Sequence, residues 1–170
     1  SENPDRYRDA AIAGIKSVLG VALDQAIPPG LIDCVKMGTT VATNALLERK
    51  GDRTLLLVNK GFADALRIGN QARPRLFDLK VVLPSLLYED VAEIGGRRGV
   101  DGDEIAPLDE AEARAALAAA RAKGIAAVAI VFMHAWKYPA HEARVAELAR
   151  EAGFTQVSTS HEVSPLLKLV

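Results

Sequence analysis

Arg53-Thr54-Leu55-Leu56-Leu57-Val58-Asn59 decides the fold class. Its apolar run is continuous rather than alternating, the pattern of a strand buried on both faces of a parallel sheet. A second run of this kind spans Ile125 to Phe132, with Ala126-Ala127-Val128-Ala129-Ile130-Val131 in its middle. Helical patterns flank both runs. Asp109 is placed to cap a helix reaching Lys123, with Glu112 three residues on as its capping-box partner and Gly124 as its stop. Pro139 to Ala152 is another helix, with Val145, Leu148 and Ala149 as its apolar face and Gly153 as its end. Thr155 to Thr159 is a short strand.

Upstream, Leu31 to Met37 reads as a strand, and a helix follows Gly38-Thr39-Thr40 through Lys50, with Gly51 as its stop. Joined to the strand at 53–59, this makes a right-handed parallel crossover. A helix starts near the N-terminus, with Asn3 as cap and Pro4 in its first turn; its stripe is Ile12, Ile15, Val18 and Leu19, and Gly20 ends it. Gly61 to Leu66 is a short helix, 69–83 a long polar loop and Leu86 to Glu93 a strand. The glycines and aspartate between 95 and 102 are turn signals for a hairpin. Strands alternating with helices put the chain in the α/β class, with a mixed or parallel sheet and flanking helices.

The chain has 170 residues, enough for one domain or one and a half, and a chain of that size buries about 70% of its unfolded surface. Hydrophobic residues at 49% and charged residues at 25% exclude a disordered composition. The formal charge is 21 − 22 = −1, so neither a basic nucleic-acid surface nor a strong acidic field is present. The single cysteine, Cys34, excludes an internal disulfide framework, and its mid-strand position reads as an inert buried thiol. No run of about 18 apolar residues exists to span a membrane, and no leader pattern precedes the first helix. The expected setting is the cytoplasm, with no membrane partner. The start at Ser1 and the apolar close Leu166-Leu167-Lys168-Leu169-Val170 are those expected of a piece of a longer protein.

Gly38-Thr39-Thr40-Val41-Ala42-Thr43-Asn44 is the most informative stretch for chemistry. A glycine after a strand allows a sharp turn, and hydroxyls at a helix N-terminus stand where amides and the dipole favour an anion. Thr40, Asn44 and Glu48 share one polar face, opposite Val41, Ala42, Ala45 and Leu46. Locally, this is either a capped turn with a solvated face or a phosphate or substrate contact. It is neither a P-loop nor a dinucleotide fingerprint. The loop containing Arg67, Asn70, Gln71, Arg73 and Arg75 concentrates groups that match carboxylate or phosphate oxygens.

His134, His141 and His161 are the histidines, and their spacing makes no metal-ligand pattern, so no metal site is expected from them. His134 reads as a strand-end histidine satisfied by a local hydrogen bond. The segment from Ser158 to Pro165, with His161 and Glu162, follows a strand at the sheet edge where α/β folds gather ligands, or else is a capped helix start.

The run from Met37 to Gly51 resembles the N-terminal region of the hydantoinase A/5-oxoprolinase family. So do Gly61-Phe62-Ala63-Asp64, Ile68 to Leu79, Phe132-Met133-His134, Pro139-Ala140-His141-Glu142 and Ser160-His161-Glu162-Val163-Ser164-Pro165, in the same order. The resemblance covers nearly the whole chain and implies part of an actin-like (ribonuclease-H-like) ATPase subdomain. It makes residues 1–170 a partial N-terminal domain, without the family's opening Asp-x-Gly-Gly-Thr phosphate motif and without its C-terminal half.

The implied activity is that of an ATP-dependent cyclic-amide hydrolase that activates a lactam carbonyl by phosphorylation. ATP and Mg²⁺ are then used by the full-length enzyme, with none expected on this piece alone, which should be inactive by itself. The alternatives are an ATP-dependent ketone carboxylase subunit and a non-catalytic subunit-docking domain. The implied partners are a small cyclic amide and a second hydantoinase-type subunit or domain, with a homo-oligomer left open and no nucleic acid. Candidate substrate or phosphate contacts are Gly38, Thr39, Thr40, Asn44, Arg73, Arg75, His161 and Glu162; no residue is singled out as catalytic.

Overall fold

The computed structural model describes Tyr7, residues 9–36, Gly38, residues 40–69, Phe77, residues 79–80, 82–83 and 85–167. The chain divides into two compact units, Ser1–Ala42 and Thr43–Val170.

In the first unit, α1 (Ala10–Leu19) is capped by Asp9, whose carboxylate accepts from the amides of Ala11 and Ile12. The expected cap, Asn3, lies outside the described residues. Gly20 ends the helix at φ 68°, as its sequence position indicated. The expected stripe is half open: Ile12 and Val18 are exposed, Ile15 and Leu19 are half-buried, and Ala13 is the buried residue of the helix. The expected strand at 31–37 is not formed. Its described residues have no strand pairing, and Leu31 and Val35 are exposed. A strand exists only where a neighbour takes its amides and carbonyls, and an apolar run does not supply that neighbour. The right-handed crossover inferred from it therefore falls away. Cys34 is exposed rather than buried, for the same reason.

α2 (Val41–Leu47) occupies the expected helix but stops earlier. Arg49 adopts the left-handed conformation at φ 53°, and the Lys50 amide bonds back to the Ala45 carbonyl at 2.8 Å. Arg49 thus does the work expected of Gly51, and its guanidinium bonds the carbonyl and hydroxyl of Ser85. The side expected to pack is open, with Val41 and Leu46 exposed.

The second unit is built on a four-stranded parallel sheet. Its strands are β1 (Thr54–Asn59), β2 (Asp90–Ile94), β5 (Ala127–Val131) and β6 (Gln156–Thr159), in the order β2-β1-β5-β6. β1 is central, with Leu57 opposite Ala92 on one side and Ile130 on the other. Leu55 to Asn59 are all buried, as the continuous apolar run required. A short helix, α3 (Ala65–Ile68), follows β1, and a two-stranded antiparallel ribbon, β3 (Arg97–Arg98) with β4 (Glu104–Ala106), follows β2. α4 (Glu110–Ala122) and α5 (Ala140–Glu151) pack their buried residues, Ala113, Leu117, Val145, Leu148 and Ala149 among them, with Leu55, Leu57, Val128 and Ile130 in one core. α6 (Ser160–Val163) leads straight out of β6.

Asp109 caps α4 as expected, accepting from the Glu112 amide at 2.9 Å. The return half of the capping box is absent. The Asp109 amide donates to the Gly95 carbonyl, and the Glu112 carboxylate instead accepts from the Gly95 amide and pairs with Lys60. Glu112 therefore fastens the helix start to the turn after β2.

At the opposite end of the sheet, Arg53 holds Glu89 through two nitrogens and also donates to the Lys123 carbonyl, while Lys123 pairs with Asp90. These contacts hold several carboxyls below their ordinary range: Glu89 through Arg53, Asp90 through Lys123, Glu104 through His141, Glu110 through Arg144, and Glu112 through Lys60 and then the Gly95 amide. A depressed carboxyl stabilises the fold fully above its unfolded-state value, and that contribution is lost as pH falls through the folded value. The melting temperature is expected to be level near neutrality and to drop as pH goes below about 4. A melting series from pH 7 to 3 checks this; a temperature that rises on acidification would contradict it.

Candidate functional site

The chain leaves β1 toward β2 on one side and leaves β5 toward β6 on the other. In open α/β sheets, the crevice beyond the carboxyl ends of the strands at such a reversal is where ligands bind. Asn59, the buried last residue of β1, sits at that point. Its side-chain amide donates to the Gly96 carbonyl at 2.6 Å and accepts from the Met133 amide at 2.7 Å. It therefore ties the segments that follow β2 and β5. Gly96 has φ +127°, and a Cβ there would lie 2.9 Å from the Leu108 Cα, so only glycine fits. Replacing Asn59 by Leu leaves a carbonyl and an amide without partners. It is expected to cost about 2–4 kcal/mol in urea unfolding, at about 1–3 for the orphaned Gly96 carbonyl and about 1 for the Met133 amide, whose bond is only part-buried.

A second node lies beyond β5 and β6. Glu142, in the first turn of α5, is 0% exposed. One of its oxygens accepts from the Phe132 amide and the Ser160 hydroxyl, both at 2.7 Å. The other accepts from the His161 amide at 3.2 Å and meets His161 Nδ1 at 2.6 Å. A buried carboxylate is tolerated when its lone pairs are met in this way. Glu142 thereby fixes the end of β5, the start of α6 and the His161 ring with one group. The His161 side chain is 17% exposed. Among the described residues the one buried side-chain nitrogen or oxygen without a partner is Arg98 Nε, so the unbonded Nε2 of His161 reaches the surface.

Next to this node is a cleft of about 550 Å³, lined by Phe132, His134, Trp136, Ser158, Ser160 and Leu166 among others. It combines apolar walls with a few hydroxyls, the usual make-up of a small-molecule site. His134 has φ 62°, a conformation non-glycine residues rarely take and one that clusters at functional sites. Its carbonyl accepts from the amides of Lys137 and Tyr138, which closes the turn. The ring has no hydrogen-bond partner among the described residues, contrary to the expectation of a satisfied strand-end histidine. The tight turn aligns the backbone groups and leaves the imidazole at the cleft wall. His141, the third histidine, instead pairs with Glu104 at 2.8 Å and is buried.

Of the candidates named from sequence, Thr39, Arg73 and Arg75 lie outside the described residues. Gly38 and Thr40 belong to the first unit and are exposed. Asn44 is exposed on α2, and its carbonyl accepts from the Glu48 amide at 2.8 Å. His161 joins the Glu142 node. Glu162 is exposed and accepts from the Thr159 hydroxyl at 2.9 Å. Among the described residues no group of three His, Cys, Asp or Glu side chains could hold a metal ion. Asn59 and Glu142 were not among the sequence candidates. Glu142 did carry a signal: it shares a helix face with Val145, Ala146 and Ala149, so an acid stands on a core stripe.

A family model described as the hydantoinase/oxoprolinase N-terminal region matches residues 1–153. The chain is 42% identical to 5-oxoprolinase 1 of Arabidopsis thaliana, over 100% of this chain and 15% of that protein. It is 33% identical to the acetophenone carboxylase gamma subunit of Aromatoleum aromaticum, over 92% of this chain and 23% of that one. Its fold matches the crystal structure of the ATP-dependent caprolactamase from Pseudomonas jessenii with a TM-score of 0.68 and 34% identity, over 93% of this chain and 23% of that one. The chain spans 15–16% of the length of the first curated relatives it matches.

Proposed function

Because this chain belongs to the hydantoinase/oxoprolinase N-terminal region family, we propose that it is part of an ATP-dependent enzyme that hydrolyses cyclic amides. The observation that carries this reading is the pairing of two kinds of relative. A 5-oxoprolinase is 42% identical, and an ATP-dependent caprolactamase shares the fold at 34% identity. 5-Oxoproline and caprolactam are both lactams. A lactam resists water because its nitrogen donates into the carbonyl. Transfer of a phosphoryl group to the carbonyl oxygen removes that resistance and makes the carbon an electrophile for water. The driving force then comes from ATP rather than from binding alone.

This chain is one portion of that enzyme, and residues 1–170 are read as a partial N-terminal domain. Gly38 and Thr40 are exposed, and no nucleotide step is assigned to the described residues. What they offer is the cleft beyond β5 and β6: an apolar wall for a small ring, with the Ser158 and Ser160 hydroxyls and the His134 ring to orient an amide. Thr39, Asn44, Arg73, Arg75 and Glu162 remain further candidate contacts in the whole enzyme. The expected setting is the cytoplasm, beside a second hydantoinase-type subunit or domain.

A ketone carboxylase subunit is the second reading, favoured by the 33% identity to the acetophenone carboxylase gamma subunit. The test is ADP release by the full-length enzyme with Mg-ATP, against 5-oxoproline, hydantoins, caprolactam, acetone and acetophenone. Release stimulated by a lactam or hydantoin supports the hydrolase. Stimulation by ketones alone, with bicarbonate present, moves the protein to the carboxylases and overturns the first reading.

A further inference from the structure

We propose that Ser158 and Ser160 read the two polar groups of a cyclic amide, Ser160 accepting the ring N–H and Ser158 donating to the ring carbonyl, so that the cleft selects lactams with a free N–H. The proposal rests on the hydrolase reading above and names the side chains that choose its substrate.

A serine hydroxyl has one hydrogen to give and two lone pairs to accept with. Which role is left for a ligand depends on the bonds already made. The Ser160 hydroxyl donates to Glu142 Oε1 at 2.7 Å. Glu142 takes a main-chain amide on each oxygen, Phe132 on one and His161 on the other, so it is the acceptor toward Ser160 as well. The Ser160 hydrogen is thus committed, and its oxygen remains as an acceptor. Ser158 is in the opposite state. Its oxygen accepts from the Gln156 side-chain amide at 3.2 Å, which leaves its hydrogen to donate. One extended residue, Thr159, separates the two serines, and both line the cleft. Ser158 stands opposite Ala129 in the β5–β6 ladder, where the small side chain leaves room over the sheet. Thr159 is buried, with its own hydroxyl given to Glu162. His134 and Ser164, also on the wall, offer either role, and Trp136 offers only a donor. The discrimination therefore falls to the serine pair.

An acceptor beside a donor matches one arrangement of an amide. A small ring forces N–H and C=O onto the same edge, whereas an open-chain secondary amide is trans and turns them to opposite edges. A lactam or hydantoin meets both serines at once. An N-methyl lactam sets a methyl against the Ser160 oxygen, a lactone sets a lone pair there, and a ketone has no hydrogen to give. Sites built to bond a substrate N–H or O–H reject analogues that lack it, because the site's own polar group is left unmet. Val131, Val163 and Leu166 supply apolar wall for the ring carbons.

The test uses the full-length enzyme with Mg-ATP. ADP release gives KM for whichever of 5-oxoproline, hydantoin and caprolactam is turned over, and its fully N-methylated counterpart is titrated as a competitor. Its Ki is expected to lie about 10²-fold above that KM, the order of penalty an unmet polar group imposes. Ser160→Ala should bring the ratio of Ki to KM down to about tenfold or less, and Ser160→Thr, which keeps the hydroxyl, should preserve it. Ser158→Ala should raise KM and Ki together and leave the ratio unchanged, because both ligands keep the carbonyl. An N-methyl competitor that binds the wild-type enzyme as well as the lactam does would overturn the proposal. So would an unchanged ratio in an active Ser160→Ala enzyme, or a ratio lost in Ser158→Ala. The wild-type ratio and Ser158→Ala decide the matter even where Ser160→Ala fails to fold. Lactam turnover without this discrimination refutes the serine pair and leaves the hydrolase reading intact, whereas stimulation by ketones alone refutes both.

Discussion

Glu142→Ala is expected to destabilise the fold by about 3–5 kcal/mol, the range seen when one partner of a buried charged network is removed. The reason lies in the donors left behind rather than in the charge removed. The Phe132 amide, the Ser160 hydroxyl, the His161 amide and His161 Nδ1 all converge on this one carboxylate. Each orphaned donor costs about 1–3 kcal/mol where water cannot reach it, and the half-buried ones cost less. Glu142→Gln keeps the shape and one acceptor oxygen, so its loss should be about half as large. Glu147, on the same helix, is a control: it pairs with Arg144 at the surface, and its removal should cost about 0–1 kcal/mol. Urea unfolding at pH 7 measures all three. A loss below 1 kcal/mol for Glu142→Ala would mean that water or a rearranged α6 replaces the carboxylate, and the node would not be the rigid support described above.

How much of this was legible in the residues differs from element to element. β1 and β5 announced themselves, because a strand flanked by parallel neighbours has no solvent face and so no polar alternation to confuse it. α4 and α5 were equally plain, since Asp109, Gly124 and Gly153 mark their ends and Ala113, Leu117, Val145 and Ala149 recur at helical spacing. The run at 31–37 was misread for a reason that local pattern cannot remove: apolar residues specify a wish to be covered, not the presence of a cover. The open sides of α1 and α2 make the same point.

The site was only half legible. His161 was marked by its place after β6, and its true partner, Glu142, lies 19 positions away in the chain. An acid in the first turn of a helix ordinarily reads as a complement to the helix dipole, which hides a buried role. Asn59 was hidden differently. An asparagine ending a strand looks like a turn former, and its two bonds reach segments 37 and 74 residues distant. Contacts of that range belong to topology, which local reading cannot supply.

Leu57→Ala should cost about 2–5 kcal/mol, the range for deleting a buried leucine side chain whose space is not refilled. Leu57 is 0% exposed at the centre of the central strand, flanked in register by Ala92 and Ile130. It shares one core with Leu117 of α4 and with Val145 and Leu148 of α5. Neighbours on β2 and β5 are held by their own hydrogen-bond ladders, so the backbone has little freedom to close the gap, and most of the cavity should persist. Leu57→Met, which keeps the volume, should lose less than about 1.5 kcal/mol. Leu47, on α2, is 76% exposed, and its alanine variant should fall within about 0.5 kcal/mol of the parent. Chemical unfolding of the three variants separates two accounts of this chain. A large loss at Leu57 with none at Leu47 identifies the parallel sheet and its α4–α5 layer as the cooperative unit. Comparable losses at both would mean that α2 is covered in solution by something that buries Leu47, and the stability of the chain would then depend on that contact as well as on its own core.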